Sequence, residues 1–183
     1  TARSFADIVA VRQASNWEET VEGVFGNFYE WTQDDVFSLD WTQGPGWLMG
    51  NNEPMNLKGL MDLINHYPTD EKAAAWYNIV KTYGEHYVKA TAKLSPFGIY
   101  PTACYRDSAY GGIKFFQGVS FGPTGMYGQI AKNMLEIGDF LNDSSYHQYA
   151  NQNVQWVAGL NAGLPDSYDE SQWFAVSWLN KIG

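Results

Sequence analysis

With 183 residues, 45% of them hydrophobic and 17% charged, the chain is long enough for one domain with a real core, too short for two, and neither a disordered tail nor a coiled coil. Its formal charge of −9, from 20 acids against 11 bases, repels phosphate backbones and offers anionic lipid no basic patch, so nucleic acid is not an expected partner. No apolar run approaches the ~18–20 residues that a membrane span needs, and with Cys104 as the only cysteine no internal disulfide can form.

The chain begins at Thr1 rather than Met, as expected of one that has been processed, trimmed or read in part. Its first element is a short helix near residues 4–14, with Phe5, Ile8, Val9 and Arg12 at helical spacing. A long connection, roughly residues 15–54, follows. Leu57, Leu60, Met61 and Ile64 then form the apolar face of a helix that breaks at His66-Tyr67-Pro68-Thr69. Thr69 or Asp70 is placed to cap the next helix, which runs through Ala73, Trp76, Val80, Tyr83 and Tyr87 to about Leu94 and is stopped by Ser95-Pro96. A second connection, roughly residues 95–123, contains Gly111-Gly112-Ile113-Lys114-Phe115-Phe116, which has the turn and strand character of a small β-hairpin.

Met126, Ile130, Met134, Ile137 and Leu141 recur at spacings of four, four, three and four, the stripe of an amphipathic helix over residues 125–141. Asn142-Asp143-Ser144 breaks it, and Asp143 or Ser144 caps a helix carrying Tyr146, Tyr149, Ala150, Val154, Val157 and Leu160, with a stop expected near Gly163-Leu164-Pro165. A last helical segment falls near residues 172–179. Each pair of helices joined by so short a turn must lie antiparallel. Asp70 and Ser144 place the two hairpins about 70–75 residues apart, a structural repeat whose apolar faces want stacked neighbours.

The two long connections exceed the ~12–15 residues usual in compact domains, which points to function. Residues 25–47 interleave Phe28, Tyr29, Trp31, Trp41 and Trp47 with Glu30, Asp34, Asp35 and Asp40. Sugar rings present apolar C–H faces and hydroxyl-rich edges, so aromatic faces beside carboxylates suit a glycan cleft. Glycoside hydrolysis needs two carboxyl groups across the scissile bond, about 5 or 6.5–9.5 Å apart according to stereochemistry, and Asp34, Asp35 and Asp40 are the candidates. The competing reading makes these acids turn caps and the aromatics the closure of a helical barrel end.

Other constellations carry less. His66, His86 and His147 form no HExxH or similar pattern, so no metal is expected, and no GxGxxG or Walker pattern marks a nucleotide cofactor. Asp139, Asn142 and Asp143 do not match a calcium loop and read as a solvated turn. Cys104 has no adjacent His and reads as a structural thiol, and Asp169 and Glu170 near Trp173 read as surface.

Several local patterns resemble the six-hairpin (α/α)6 toroid glycosidases, most nearly the C-terminal part of the family 9 glycoside hydrolases. Ser95-Pro96-Phe97-Gly98-Ile99 resembles the segment after a toroid hairpin in that family. Residues 130–143, with Ile137-Gly138-Asp139 and then Tyr146, resemble the next helix with its "tGD" turn and tyrosine. Residues 154–163, Val-Gln-Trp-Val-Ala-Gly-Leu-Asn-Ala-Gly, resemble the helix end LdylLGrNp.G, and Ser177-Trp178-Leu179-Asn180-Lys181-Ile182-Gly183 is similar to the following SFVtGiG. None of these patterns is catalytic. The family's paired-aspartate DAGD-type segment is absent here, and its general-acid glutamate lies beyond the match, so neither is carried over to a position in this chain.

The resemblance implies a mainly α fold: one partial (α/α)-toroid domain over residues 1–183, with helical hairpins and long aromatic loops. It also implies a secreted or periplasmic carbohydrate-active protein, part of a glycoside hydrolase acting on a poly- or oligosaccharide, with no cofactor. Tyr29, Trp31, Trp41, Trp47, Tyr100 and Tyr105 would then serve as ring platforms, while Arg106 and Asp107 bind hydroxyls or a uronic-acid carboxylate, a task suited to the Arg fork. Polysaccharide lyases on related toroids are the enzymatic alternative. A non-catalytic glycan-binding module and a structural helical-repeat protein are the others. Half a toroid exposes apolar area, so the remainder of the chain or a second copy is an expected partner.

Overall fold

The computed structural model describes residues 1–13, 25, 26, 28, 57–95, 97–100, 103–107, 112–116 and 123–160. Among these the protein is mainly helical. Helix α1 (Ala2–Arg12) starts at Thr1, whose hydroxyl accepts the Ser4 N–H at 3.3 Å. This is the side-chain cap that satisfies one of the orphan donors of a first turn. Its Phe5 and Ile8 are exposed, while Ala6 is buried and Val9 packs partly buried against the core.

Helix α2 (Lys58–His66) buries Leu60, Met61 and Ile64, and Leu57 is buried just ahead of it, the face expected from their spacing. After a turn the chain enters a single helical rod: α3 (Ala73–Thr82), a π-helical stretch (Tyr83–Lys89) and α4 (Ala90–Leu94). Neither Thr69 nor Asp70 is the N-cap of this rod; Lys72 holds that position. Asp70 instead closes the turn, accepting the Lys72 N–H at 2.9 Å, and pairs with Arg3, while Lys72 reaches Asp7 at 2.9 Å. With a longer Arg3–Glu71 pair at 3.9 Å, these ion pairs tie α1 to the α2–α3 turn.

Strand β1 (Ala103–Asp107) pairs antiparallel with β2 (Gly112–Phe116), with Tyr105 opposite Lys114 and Arg106 opposite Ile113. Helix α5 (Pro123–Leu141) ends where Asn142 takes a left-handed φ of 53° and the Asp143 N–H reaches back to Gly138 O at 2.8 Å. That six-to-one bond is the Schellman closure, and it sends α6 (Ser145–Ala158) back along α5. Contacts of Tyr146 at Gly138 and of Asn153 at Met134 show the antiparallel course.

Helix α6 differs from its expected reading in two ways. It ends at Ala158 rather than near Gly163, because Gly159 adopts φ 75° and the Leu160 N–H bonds Gln155 O at 2.8 Å. Its inner face also contains Asn153, fully buried, whereas Val154 is 52% exposed. The Asn153 amide nitrogen donates to Tyr149 O at 2.8 Å and to Met134 Sδ at 3.5 Å, while its Oδ1 is buried without a hydrogen-bond partner. The core is one contiguous cluster in which Trp76, Val80, Tyr83, Tyr127, Ile130, Met134, Ile137 and Tyr146 are essentially inaccessible.

Candidate functional site

The site is built around the π-helical stretch. Such stretches exchange i→i−4 bonds for i→i−5 bonds, and single turns of this kind recur at functional positions. Here donors from outside the rod support its carbonyls. Gln13 Nε2 donates to Ile79 O at 2.9 Å and to Gly26 O at 3.0 Å, using both of its hydrogens. The Phe25 N–H donates to His86 O at 3.1 Å. From below, the Thr91 hydroxyl faces Tyr87 O at 2.6 Å and Val88 O at 3.2 Å.

The same contacts anchor the start of the aromatic segment. Phe25 stacks on His86 with ring centroids 4.0 Å apart, and Phe28 tilts against Tyr83 at 5.3 Å. Gln13 and Phe28 form an isolated antiparallel bridge. Gly26, at φ 85°, lies so close to the rod that a Cβ would sit 2.8 Å from Thr82 Cγ2 and 2.9 Å from Thr82 O. Only glycine fits both the conformation and the gap.

The π stretch also carries Glu85 and Lys89. The Lys89 ammonium bonds Glu85 Oε1 at 3.0 Å and Asp143 Oδ2 from the α5–α6 turn, and it lies 4.4 Å from the Tyr146 ring centroid. The Tyr146 hydroxyl donates to Glu85 Oε1 at 3.1 Å. Tyr146 enters because Gly84 and Gly138 leave room: a Cβ at Gly84 would fall on its hydroxyl, and one at Gly138 would lie 2.8 Å from its Cβ.

The electrostatics define what this cluster can do. Burial pushes the Lys89 amine down, but hydrogen bonds to Asp143 and Glu85 outweigh it and hold the group above its usual value, so it stays a cation. The Lys89 ammonium, and then Ser145, hold the Asp143 carboxyl at about 2. Burial raises the Tyr146 phenol well above its ordinary range, with the nearby Glu85 charge adding to the effect. Asp143 is therefore a fixed anion, Lys89 a fixed cation, and Tyr146 a neutral donor. The cluster can orient hydroxyl groups and lock two elements together, but it offers no proton from Asp143 and no free amine.

Asp34, Asp35, Asp40, Tyr29, Trp31, Trp41 and Trp47 lie outside the described residues, as does the segment near 172–179. Tyr105, Arg106 and Asp107 occupy β1 as consecutive residues. Tyr100 is in the core at 4% exposure, its hydroxyl 3.1 Å from that of Tyr83 and its ring edge-on to Tyr87. Packing accounts for that ring. Among the described residues no group of three or more His, Cys, Asp and Glu side chains could hold a metal ion.

Sequence reasoning missed Glu85 and Lys89. Their spacing of four on a helix was the available signal, but it reads first as an ordinary surface ion pair. The segment at Phe97 and the end of α6, far apart in sequence, come together: Phe97 packs on Trp156 at 4.6 Å, and Gly98, at φ 62°, backs onto Gln152. No family model matches this chain, and neither a curated protein nor a solved structure matches it.

Proposed function

We propose that this chain is a carbohydrate-active protein, part of a glycoside hydrolase whose helical hairpins belong to an (α/α) toroid. The observation that carries this reading is the anchoring of Phe25 and Phe28 on the rod that bears Glu85 and Lys89. The segment richest in aromatics and acids thereby begins on a helical hairpin, as a sugar-binding loop on a rigid scaffold must. Two of the segments that resemble family 9 enzymes, residues 95–99 and 154–163, also meet through Phe97 and Trp156. In this reading Trp31, Trp41 and Trp47 stack on sugar faces, and Asp34, Asp35 and Asp40 supply the carboxyl pair.

The test is a tryptophan-fluorescence screen of the protein against a glycan panel, followed by Asp34→Asn, Asp35→Asn and Asp40→Asn assayed on the glycan that binds. A hydrolase loses turnover by roughly 100-fold or more in at least one variant while keeping affinity. No fluorescence change with any glycan would refute the carbohydrate reading altogether.

A specific observation favours a second reading, a non-catalytic glycan-binding module. The carboxylates of Glu85 and Asp143 are both committed to Lys89, and Asp143 at about 2 cannot serve as an acid. In that case the three Asn variants change affinity modestly, and no glycan on the panel is cleaved.

A further inference from the structure

We propose that the π-helical stretch Tyr83–Lys89 is a two-register element, and that docking of Gln13, Phe25, Gly26 and Phe28 on the rod selects the register that assembles the Glu85–Lys89–Asp143–Tyr146 cluster. Seating the start of the aromatic segment and building the charge cluster are then one event.

Three observations carry this. First, the outside donors act where the helix changes register. Gln13 adds a second donor to Ile79 O, which already accepts the Tyr83 N–H at the end of α3, and the Phe25 N–H supports His86 O inside the π stretch. Without the Phe25 donor, His86 O favours return to α-helical bonding, while Gln13 ties the start of the segment to the rod through Gly26 O and Ile79 O. Second, that return advances the helix beyond it by about one residue, a turn of roughly 100°. Lys89 is the last residue of the π stretch, so such a turn carries its ammonium away from Asp143 on the neighbouring hairpin. Third, the docking surface is shaped for a close fit, since Gly26 has no room for a Cβ against Thr82. Gln13 and Gly26 touch the rod at Ile79 and Thr82, and Phe25 touches it at His86, so the docking contacts meet the rod ahead of Lys89 and reach Asp143 through it.

The inference needs no sugar and stands apart from the proposed function. It is tested in both directions, because coupling between two sites is reciprocal. Gln13→Ala removes both side-chain bonds, and Gly26→Ala lifts the segment off Thr82. In each variant the Asp143 carboxyl, followed by its ¹³C resonance, should titrate closer to the ordinary 3.8 than to about 2. Conversely, Asp143→Asn, a change in a surface turn, should speed hydrogen exchange at the Phe25 amide by about 5-fold or more. The inference is overturned if Asp143 keeps its low titration in a folded Gln13→Ala or Gly26→Ala protein. It is equally overturned if Phe25 exchange in Asp143→Asn stays within about 2-fold of the parent, a measurement that holds even if both docking variants fail to fold.

Discussion

At the residue scale, two glycines on the rod and α5 have opposite consequences. Gly84 makes room for Tyr146, and a Cβ there would also lie 3.2 Å from Ile137 Cγ2. Gly84→Ala is expected to destabilise the protein by about 1–3 kcal/mol in urea titrations, since neither neighbour can move without disturbing the core. Gly128, inside α5, has nothing within 4 Å of its would-be Cβ. Gly128→Ala should therefore be neutral or stabilise by up to about 1 kcal/mol through lower chain entropy and better helix propensity. Equal losses in the two variants would refute the fit argued for Tyr146.

Asp143 gives the residue scale a pH signature. Its folded value of about 2 lies below the ordinary 3.8, so its stabilising contribution is complete above 3.8 and is lost as pH falls through about 2. Between those values the urea midpoint of Asp143→Asn should fall less steeply than that of the parent. Parallel profiles would mean that Lys89 and Asp143 are not paired in solution. Glu85 and Lys89 left one signal in the sequence, a spacing of four on a helix that reads first as a surface ion pair. Their third partner left none, because Asp143 lies 54 positions from Lys89 and only packing joins them.

At the scale of elements, the sequence was most legible where apolar spacing meets a clear stop. The stripes of α2 and α5 were read from Leu60, Met61 and Ile64, and from Ile130, Met134 and Ile137, all buried. The end of α6 was misplaced because Gly163-Leu164-Pro165 is the stronger local stop, yet Gly159 reaches the left-handed cap first. Gly159→Ala should cost about 1–2 kcal/mol, the penalty of placing a Cβ in that conformation, as measured by thermal or chemical unfolding. No loss would mean that the helix runs on toward Gly163. The π stretch left no periodic mark. Tyr83 and Tyr87 fit an ordinary helix, and the outside donor to the π stretch, the Phe25 N–H on His86 O, comes from a residue distant in sequence.

At the scale of the whole molecule, buried tyrosines make the core a reporter. Burial raises the phenols of Tyr100, Tyr127 and Tyr146 above 10, so each favours the folded state below that pH and loses its contribution as pH rises further. Ultraviolet titration of the folded protein should leave these three protonated above pH 10, with a late rise in phenolate absorbance that coincides with loss of helical circular dichroism. A smooth titration of all twelve tyrosines near pH 10 would contradict this packing.

By itself, the sequence determined the mainly helical class, the two hairpins and the core faces of α2, α3 and α5, because apolar periodicity and short polar breaks are local properties that the backbone must obey. It also supplied the aromatic and acidic composition of residues 25–47, from which the carbohydrate reading starts. Only the tertiary structure decided that Asn153 rather than Val154 faces inward, that Tyr100 is a core residue, and that the rod widens into a π stretch. It alone brought Glu85, Lys89, Asp143 and Tyr146 together. The physical reason is common to all four: each depends on which groups from distant parts of the chain compete for one small volume or one carbonyl oxygen, and local spacing does not encode that competition.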